Sequence, residues 1–380
     1  MDYNKPLDLL HAAEETVWVK KVNTARVDGR ICSWASAFHP EKLACRLDGG
    51  FLNGSYNVGQ GIVFDDGATW FFRLPRASSI SPEYANEKVA MEVEALFLIR
   101  EKTTIPVPKI HAWGFAEENQ LGLGPFILMD FIKGVCLNDV FGGGDSRLLK
   151  EEIPETDIEY VYRQMANFML QLFKIDFNHI GNLPTRMTRF AAPSRPLTWK
   201  GHEILRVGGV NTLAQLFGSA PWWLLLDRPV NDEWDFEEGE APKDTDRYFK
   251  CLEIFIRVLE EEETRMKESG RRELTELVRW SRDTGAMWLH MLLSSGFFDY
   301  LTFPCMQLRN HKGVQWWDKR MENHGDTEEV EKFIADKMKD LATYDGIKEK
   351  VEHHKVLMDD KEMSAEDFSF HFQRVLHSRS

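Results

Sequence analysis

The sequence predicts an α+β protein in which a small part rich in strands precedes a larger helical part. Short apolar runs between residues 46 and 132 are bounded by glycine, proline and an Asp-Gly pair, which is typical of strands joined by tight turns. One longer segment among them, 82–103, has apolar residues at helical spacing. After Lys133 most apolar segments have the helical period, so strands and helices are segregated along the chain.

Residues 1–45 are predicted to form a helical preamble. An apolar stripe at helical spacing supports this prediction, and it consists of Leu9, Leu10, Val17 and Val19. We therefore expect the first domain, 1–45, to precede the strands that begin near residue 46.

Residues 46–132 are predicted to form the β-rich domain. Two apolar runs flank Asp66 and Gly67, the signature of a β-hairpin, and the approach to the hairpin is rich in glycine. The helix over 82–103 follows and ends where two X-Pro pairs forbid helix. Short apolar strands over 109–115 and 124–134 complete the domain. The predicted order is strand, strand, helix, strand, strand.

Residues 133–380 are predicted to form a mostly helical domain. Four segments carry the helical period, namely 158–175, 246–268, 271–298 and 328–354. The intervening run from Glu233 to Asp246 is acidic and rich in turn residues, and we interpret it as a surface loop.

Composition excludes several classes of function. The chain has 61 acidic and 47 basic residues, a formal charge of −14, which would repel nucleic-acid phosphates and anionic membranes. Its five cysteines are scattered without C-x-x-C spacing, which favours reduced thiols over a disulfide framework or a zinc site. With no apolar run near the ~20 residues of a membrane span, we expect a cytoplasmic protein with neither a nucleic-acid nor a membrane partner.

Five stretches, in this order, resemble the aminoglycoside-phosphotransferase superfamily, in the fungal branch of kinase-like proteins. They are FLNGSYNVGQGIVFDDGATWFFRLPR (51–76), KVAMEVEALFLIREKTTIPVPKIHAWG (88–114), GPFILMDFIKGVCL (124–137), QMANFMLQLFKIDFNHIGNL (164–183) and SAPWWLLLDRP (219–229). The resemblance implies a protein-kinase-like fold of two lobes, a small β-rich N-lobe and a mostly helical C-lobe. It also implies ATP- and Mg²⁺-dependent phosphorylation of a hydroxyl group on a small molecule.

The resemblance assigns nucleotide-side roles to four residues. The turn at Gly54 and Ser55 would close over the phosphates, because glycine lets the backbone approach closely; the alternative is a plain hairpin loop. Arg73 stands where the superfamily has its nucleotide-contacting lysine, and Glu92 stands where the family has its helix glutamate. An ion pair between them would orient the arginine, as in other phosphoryl-transfer sites, whereas an ordinary solvated pair is the alternative.

The hinge between the lobes is implied at FILMDFIKG, 126–134. Backbone groups of Asp130, Phe131 and Ile132 would there hydrogen-bond an adenine edge. An ordinary core strand is the alternative, and side-chain identity does not decide between the two because backbone groups would make the contacts.

The pattern of the family breaks after Pro184. Relatives carry a catalytic loop of the type H-G-D-x-x-x-x-N and a metal-binding I-D-W-E before the tryptophan pair, but residues 185–219 contain no aspartate. We therefore predict no catalytic base and no metal ligand. The seam, by which we mean the point in the sequence where the missing segment would stand, is predicted near Gln215 to Ser219. Two hypotheses remain open: a phosphotransferase whose gene model or splice form lost an exon, and a catalytically silent pseudokinase that acts as a binding or scaffolding protein.

His324, Gly325 and Asp326 have the first three letters of the missing loop. However, Glu331 stands where the asparagine belongs, and Phe333, Ile334, Met338 and Leu341 continue at helical spacing. Asp326 and the acids after it suit the first turn of a helix. We therefore favour a helix start over a displaced catalytic loop.

Overall fold

The computed structural model describes residues 5–77, 79–80, 82–143, 148–176, 182–191, 198–199, 202–203, 221, 223–226, 243–266, 272–295, 303–322 and 328–377. The predicted seam at Gln215 to Ser219, most of the acidic loop before Asp246 and the stretch from His324 to Asp326 lie outside these residues. Within them the protein is of the α+β class, as the sequence predicts.

A five-stranded antiparallel sheet forms the β-rich part, with the strand order β1-β2-β3-β5-β4. The strands are β1 (Cys45–Asn53), β2 (Asn57–Phe64), β3 (Thr69–Pro75), β4 (Ile110–Gly114) and β5 (Phe126–Asp130). The hairpin predicted at Asp66 and Gly67 is present between β2 and β3, and Gly67 adopts φ 86°, which only glycine adopts readily. A further two-stranded ribbon joins β6 (Thr198–Trp199) to β7 (His202–Glu203).

Strand β1 was not predicted from the sequence. The prediction treated its glycines as a permissive approach to the hairpin, whereas they belong to a strand paired with β2. The pairing register shifts between Asp48 and Phe51, where Gly49 has φ 65°. Because glycine is depleted in regular strands but common at bulges, this strand lacks the usual pattern of alternating apolar residues.

The helices are, in chain order, α1 (Lys5–Val27), α2 (Arg30–Ser36), α3 (Pro82–Lys102), α4 (Leu137–Phe141), α5 (Glu155–Phe173), α6 (Lys243–Arg265), α7 (Glu273–Thr284), α8 (Ala286–Ser295), α9 (Phe303–Lys312), α10 (Val314–Glu322), α11 (Glu328–Asp359) and α12 (Ala365–His377). The segments predicted from the apolar period are helical over most of their length, but 271–298 is divided into α7 and α8 at Gly285, which has φ 76°. None of the described helices combines the length and the apolar character that a membrane span requires.

The sheet packs between two helical layers. On one face, buried residues of α1 and α2, such as Ala25 and Trp34, share a core with Ile62 and Phe72 of the sheet. On the other face α3 packs on β5 through its predicted apolar side. Val89 and Val93 are buried there, and Leu96 and Phe97 are partly buried against them. The predicted preamble and the predicted β-rich domain therefore have one core in common.

The helical part has a core of its own. It is built mainly from α5, α6, α7 and α8, with Tyr248, Leu252 and Phe255 of α6 fully buried at its centre. The Tyr162 hydroxyl donates a hydrogen bond of 2.6 Å to the carbonyl oxygen of Leu224 and ties α5 to the segment 223–226. Amphipathic helices that bury one face in this way are stabilised mainly by tertiary packing.

The first helix and the last two helices form a third core, which we call the terminal cluster. Its buried members are Leu10, Ala13, Val351, Phe368 and Phe372. Lys5 of α1 also pairs with Glu352 of α11 at 2.7 Å. The end of the predicted C-lobe therefore packs on the predicted preamble.

Helix α11 begins at Glu328, which agrees with a helix following Asp326. The apolar spacing that predicted this helix does not mark a buried face, however. Phe333, Ile334 and Met338 are exposed with respect to the rest of the structure. Only the later part of the helix, around Val351, is buried in the terminal cluster.

Candidate functional site

Arg73 and Glu92 form the ion pair that the sequence predicts. Strand β3 holds Arg73 in register between Gly59 of β2 and Ile127 of β5, and helix α3 carries Glu92. The distance from Arg73 Nη1 to Glu92 Oε1 is 2.6 Å, and the two side chains are 30% and 20% exposed. An ion pair that is partly shielded from water in this way fixes the direction of the guanidinium group.

Lys88 is a second cation at the same carboxylate. Its Nζ lies 3.3 Å from Glu92 Oε2, one helical turn away, and donates a hydrogen bond of 2.6 Å to Asn57 Oδ1. Polar contacts therefore run without a gap from the glycine turn through α3 to β3. Sequence reasoning missed Lys88, although the i, i+4 spacing of Lys88 and Glu92 is a recognisable signal for a helical ion pair.

Lys88 is poorly hydrated, and its side chain is 12% exposed. Burial lowers its pKa from the ordinary value for lysine, and the nearby charge of Arg73 acts in the same direction. The carboxylate of Glu92 opposes both effects without cancelling them. The charged form of the Lys88 ammonium group is therefore less favoured than that of a lysine on the surface.

The glycine turn, residues 54–57, is anchored by its own carbonyl groups. The Gly54 N–H donates to Asn57 O at 2.9 Å, and a Cβ at Gly54 would lie 3.2 Å from that oxygen. Arg76 Nη1 donates to Gly54 O at 3.0 Å, and Ser79 Oγ donates to Ser55 O at 2.7 Å. The predicted phosphate turn therefore has a fixed backbone, and its last residue, Asn57, contacts Lys88.

The predicted hinge has part of its backbone committed to the sheet. The Asp130 N–H donates to Lys109 O at 2.9 Å, and the Phe131 N–H donates to Thr69 O at 3.1 Å. Ile132 is exposed. An adenine edge would therefore have to meet the carbonyl groups of this segment or the peptide of Ile132.

The Asp130 side chain also serves the sheet. Its Oδ1 lies 2.7 Å from His111 Nε2, and its Oδ2 accepts the Lys109 N–H at 3.0 Å. The His111 ring stacks on Trp70 with centroids 4.0 Å apart. Burial alone would raise the pKa of Asp130, but the hydrogen bonds from His111 and Lys109 outweigh burial and lower it.

Changing Asp130 to Asn should remove a pH-dependent part of the stability. A carboxyl whose pKa is lowered by folding stabilises the protein above its ordinary pKa of about 3.9, and this contribution is lost as the pH falls through the lowered value. We expect the difference in urea midpoint between wild type and Asp130→Asn to be largest above about pH 5 and to shrink below about pH 4. Asp345→Asn, at an exposed position of α11, is the control. A difference that stays constant with pH would rule out the carboxylate as its source.

Two buried acids of α3 hold the segment 182–191, which sequence reasoning did not predict. Glu94 Oε1 accepts hydrogen bonds from Met187 N, Thr188 N and Thr188 Oγ1 at 2.8, 2.6 and 2.9 Å. Glu87 Oε1 accepts one from Asn182 Nδ2 at 2.7 Å. Their partners lie more than 90 residues away in sequence, so no local pattern indicates these contacts.

Among the described residues, the cavities given below do not include the Arg73–Glu92 pair. One, of about 710 Å³, lies between α3, α5 and residues 183–187, on the side of α3 that carries Glu94. The other, of about 480 Å³, is bordered by α1, α12 and Arg76. No three His, Cys, Asp or Glu side chains come together as a possible metal site in the part of the chain that the structure describes.

The chain matches no protein-family model, and it matches no curated protein either. The class that the structure defines is an α+β protein in which an arginine of the antiparallel sheet and a lysine of helix α3 contact one carboxylate of that helix.

Proposed function

We propose that this chain is a kinase-like protein that binds the phosphate groups of ATP between the glycine turn and Arg73. The observation that carries the proposal is the ion pair of Arg73 and Glu92, joined to the turn through polar contacts. Phosphoryl-transfer sites need fixed positive charge and close backbone approach at the phosphates. In a chain with a formal charge of −14, two cations that lie next to the glycine turn favour an anionic ligand at this place.

We further propose the two-lobe arrangement of the kinase-like fold. The sheet and the helices α5 to α8 have separate cores, and the chain passes from one to the other after Asp130. An adenine edge between the two proposed lobes would meet the exposed end of the predicted hinge at Ile132. The acceptor would be a hydroxyl group on a small molecule.

The proposed function is nucleotide binding with little or no turnover. The family's catalytic aspartate and metal-binding segment have no counterpart in residues 185–219, which contain no aspartate. Arg73 would orient a phosphate oxygen, and Glu92 would keep the guanidinium group in place. The alternative is an active phosphotransferase encoded by a longer transcript.

The test is a thermal-shift titration with ATP, with and without Mg²⁺, on wild type, Arg73→Met and Arg46→Met. Arg46 is an exposed arginine of β1 and serves as the matched control. We expect ATP to stabilise wild type and Arg46→Met, by about 2.7 kcal/mol at 100 times the Kd, and to leave Arg73→Met nearly unshifted. Equal shifts in all three proteins, or none in wild type, would contradict the proposal.

The enzyme alternative needs a separate measurement. Sequencing the transcript across Gln215 to Ala220 would reveal an additional segment with a D-x-x-x-x-N and a D-W-E pattern if one exists. Sustained ATP consumption by the present chain that disappears in Arg73→Met would favour the enzyme. ATP binding without consumption would favour the binding protein.

A further inference from the structure

We infer that Lys88 is a second polyphosphate-binding residue, which grips the same ligand as Arg73 and exchanges its contact with the glycine turn for a phosphate oxygen. This inference rests on the proposed function and extends it to a residue that the family resemblance does not assign. Its ligand class is a chain of phosphates, whether free or attached to a nucleoside.

The charges next to Lys88 favour an anionic ligand. Arg73 and Lys88 both lie against Glu92, so two positive groups share one negative group, and these three side chains together carry a formal charge of plus one. Of the neighbouring acids, Glu15 pairs with Arg76, whereas Glu87 keeps its negative charge and accepts a hydrogen bond from the neutral amide of Asn182. An excess charge in a poorly hydrated position is costly, and an anionic ligand would relieve that cost.

The present hydrogen-bond partner of Lys88 is a weaker acceptor than a phosphate oxygen. An ammonium group has three donors, and its shortest contact, 2.6 Å, is to the neutral amide oxygen of Asn57 in the turn. A phosphate oxygen is a stronger acceptor for a cation than an amide oxygen. A phosphate held by Arg73 beneath the turn would approach the same side of α3 as Lys88, because Glu92 contacts both cations. When Lys88 replaces its hydrogen bond to Asn57 by one to a phosphate oxygen, the turn loses this contact and is released as the ligand enters.

The ammonium group of Lys88 is poorly hydrated in the folded protein. Burial lowers the pKa of Lys88, which means that the folded protein disfavours its charge. A lysine that only braced the turn would be expected to stabilise the protein. A lysine kept for a ligand lowers or leaves unchanged the stability of the free protein and raises that of the complex.

The experiment compares wild type, Lys88→Met and Lys88→Arg, with Lys102→Met as the matched control on the same helix. Lys102 is half exposed and contacts Glu101. Binding of inorganic tripolyphosphate and of ATP is measured by calorimetry, and stability without ligand is measured by urea denaturation. For Lys88→Met we expect affinity for both ligands to fall about tenfold or more, with the urea midpoint unchanged or higher. Lys88→Arg should bind more tightly than Lys88→Met, and Lys102→Met should behave like wild type.

The outcomes separate this inference from the proposed function. Tripolyphosphate binding that is the same in wild type and Lys88→Met would overturn the inference and leave the proposed function standing. Wild type that binds neither ligand would overturn both. Wild type that binds tripolyphosphate through Lys88 but does not bind ATP would support the inference and contradict nucleotide binding.

One further variant covers the case in which Lys88→Met both binds weakly and unfolds more easily. Asn57→Ala removes the contact between turn and lysine but keeps the ammonium group. Tripolyphosphate affinity retained in Asn57→Ala would support a ligand role for Lys88. Affinity lost to the same degree as in Lys88→Met would show that Lys88 only braces the turn.

Discussion

Replacing Phe368 with alanine should detach α12 from α1 while most of the protein stays folded. Phe368 is fully buried in the terminal cluster, against residues such as Leu10 and Val351. Truncating a buried phenylalanine costs about 3–5 kcal/mol, because the side chain is lost and a cavity remains. Since α12 packs mainly on α1 and α11, this cost should appear as local opening.

The measurement is hydrogen exchange and limited proteolysis over 365–377 in wild type and Phe368→Ala. Phe370→Ala is the matched control, because Phe370 lies on the same helix and is 71% exposed. Its effect should stay within about 0.5 kcal/mol. Protection of 365–377 that is the same in Phe368→Ala and wild type would show that the terminal cluster does not hold α12.

Replacing Glu94 with alanine should destabilise the contact between α3 and the segment 182–191 by about 2–4 kcal/mol, because hydrogen bonds to a charged group are lost inside the protein. Three donors, two backbone N–H groups and the Thr188 hydroxyl, converge on Glu94 Oε1. With the carboxylate removed, these buried donors would need water or a new partner. The cavity beside Glu94, of about 710 Å³, is the place where water would enter.

Urea denaturation and proteolysis near Met187, an exposed residue of that segment, measure this effect. Glu101→Ala is the control, because Glu101 lies on the same helix with a side chain that is 62% exposed. We expect a small change in the control and faster cleavage near Met187 in Glu94→Ala. Equal urea midpoints for the two variants would mean that the three hydrogen bonds contribute no net stability.

The sequence indicates some residues of the candidate site and misses others. The ion pair between Arg73 and Glu92 was predicted because a strand arginine and a helix glutamate stand at positions typical of the family that the chain resembles. Lys88 was missed because its significance depends on Asn57, which lies 31 residues away. Glu87 and Glu94 resemble surface helix acids in the sequence, and their burial follows from segments far along the chain.

By itself the sequence determined the α+β class and most of the longer helices, because periodic apolar residues and proline or glycine breaks act over a few residues. Helices α4, α9, α10 and α12 were not predicted. It also determined the hairpin at Gly67, which needs a residue that accepts positive φ. Only the tertiary structure decided that β1 joins the sheet, that α12 packs on α1 and that Lys88 shares Glu92 with Arg73. Strand β1 pairs with the neighbouring β2, but its glycines and the register shift remove the usual strand pattern from the sequence. The contacts of α12 with α1 and of Arg73 with Glu92 join residues that are farther apart in the chain, and such contacts form only when burial in the whole fold offsets the entropy of closing loops.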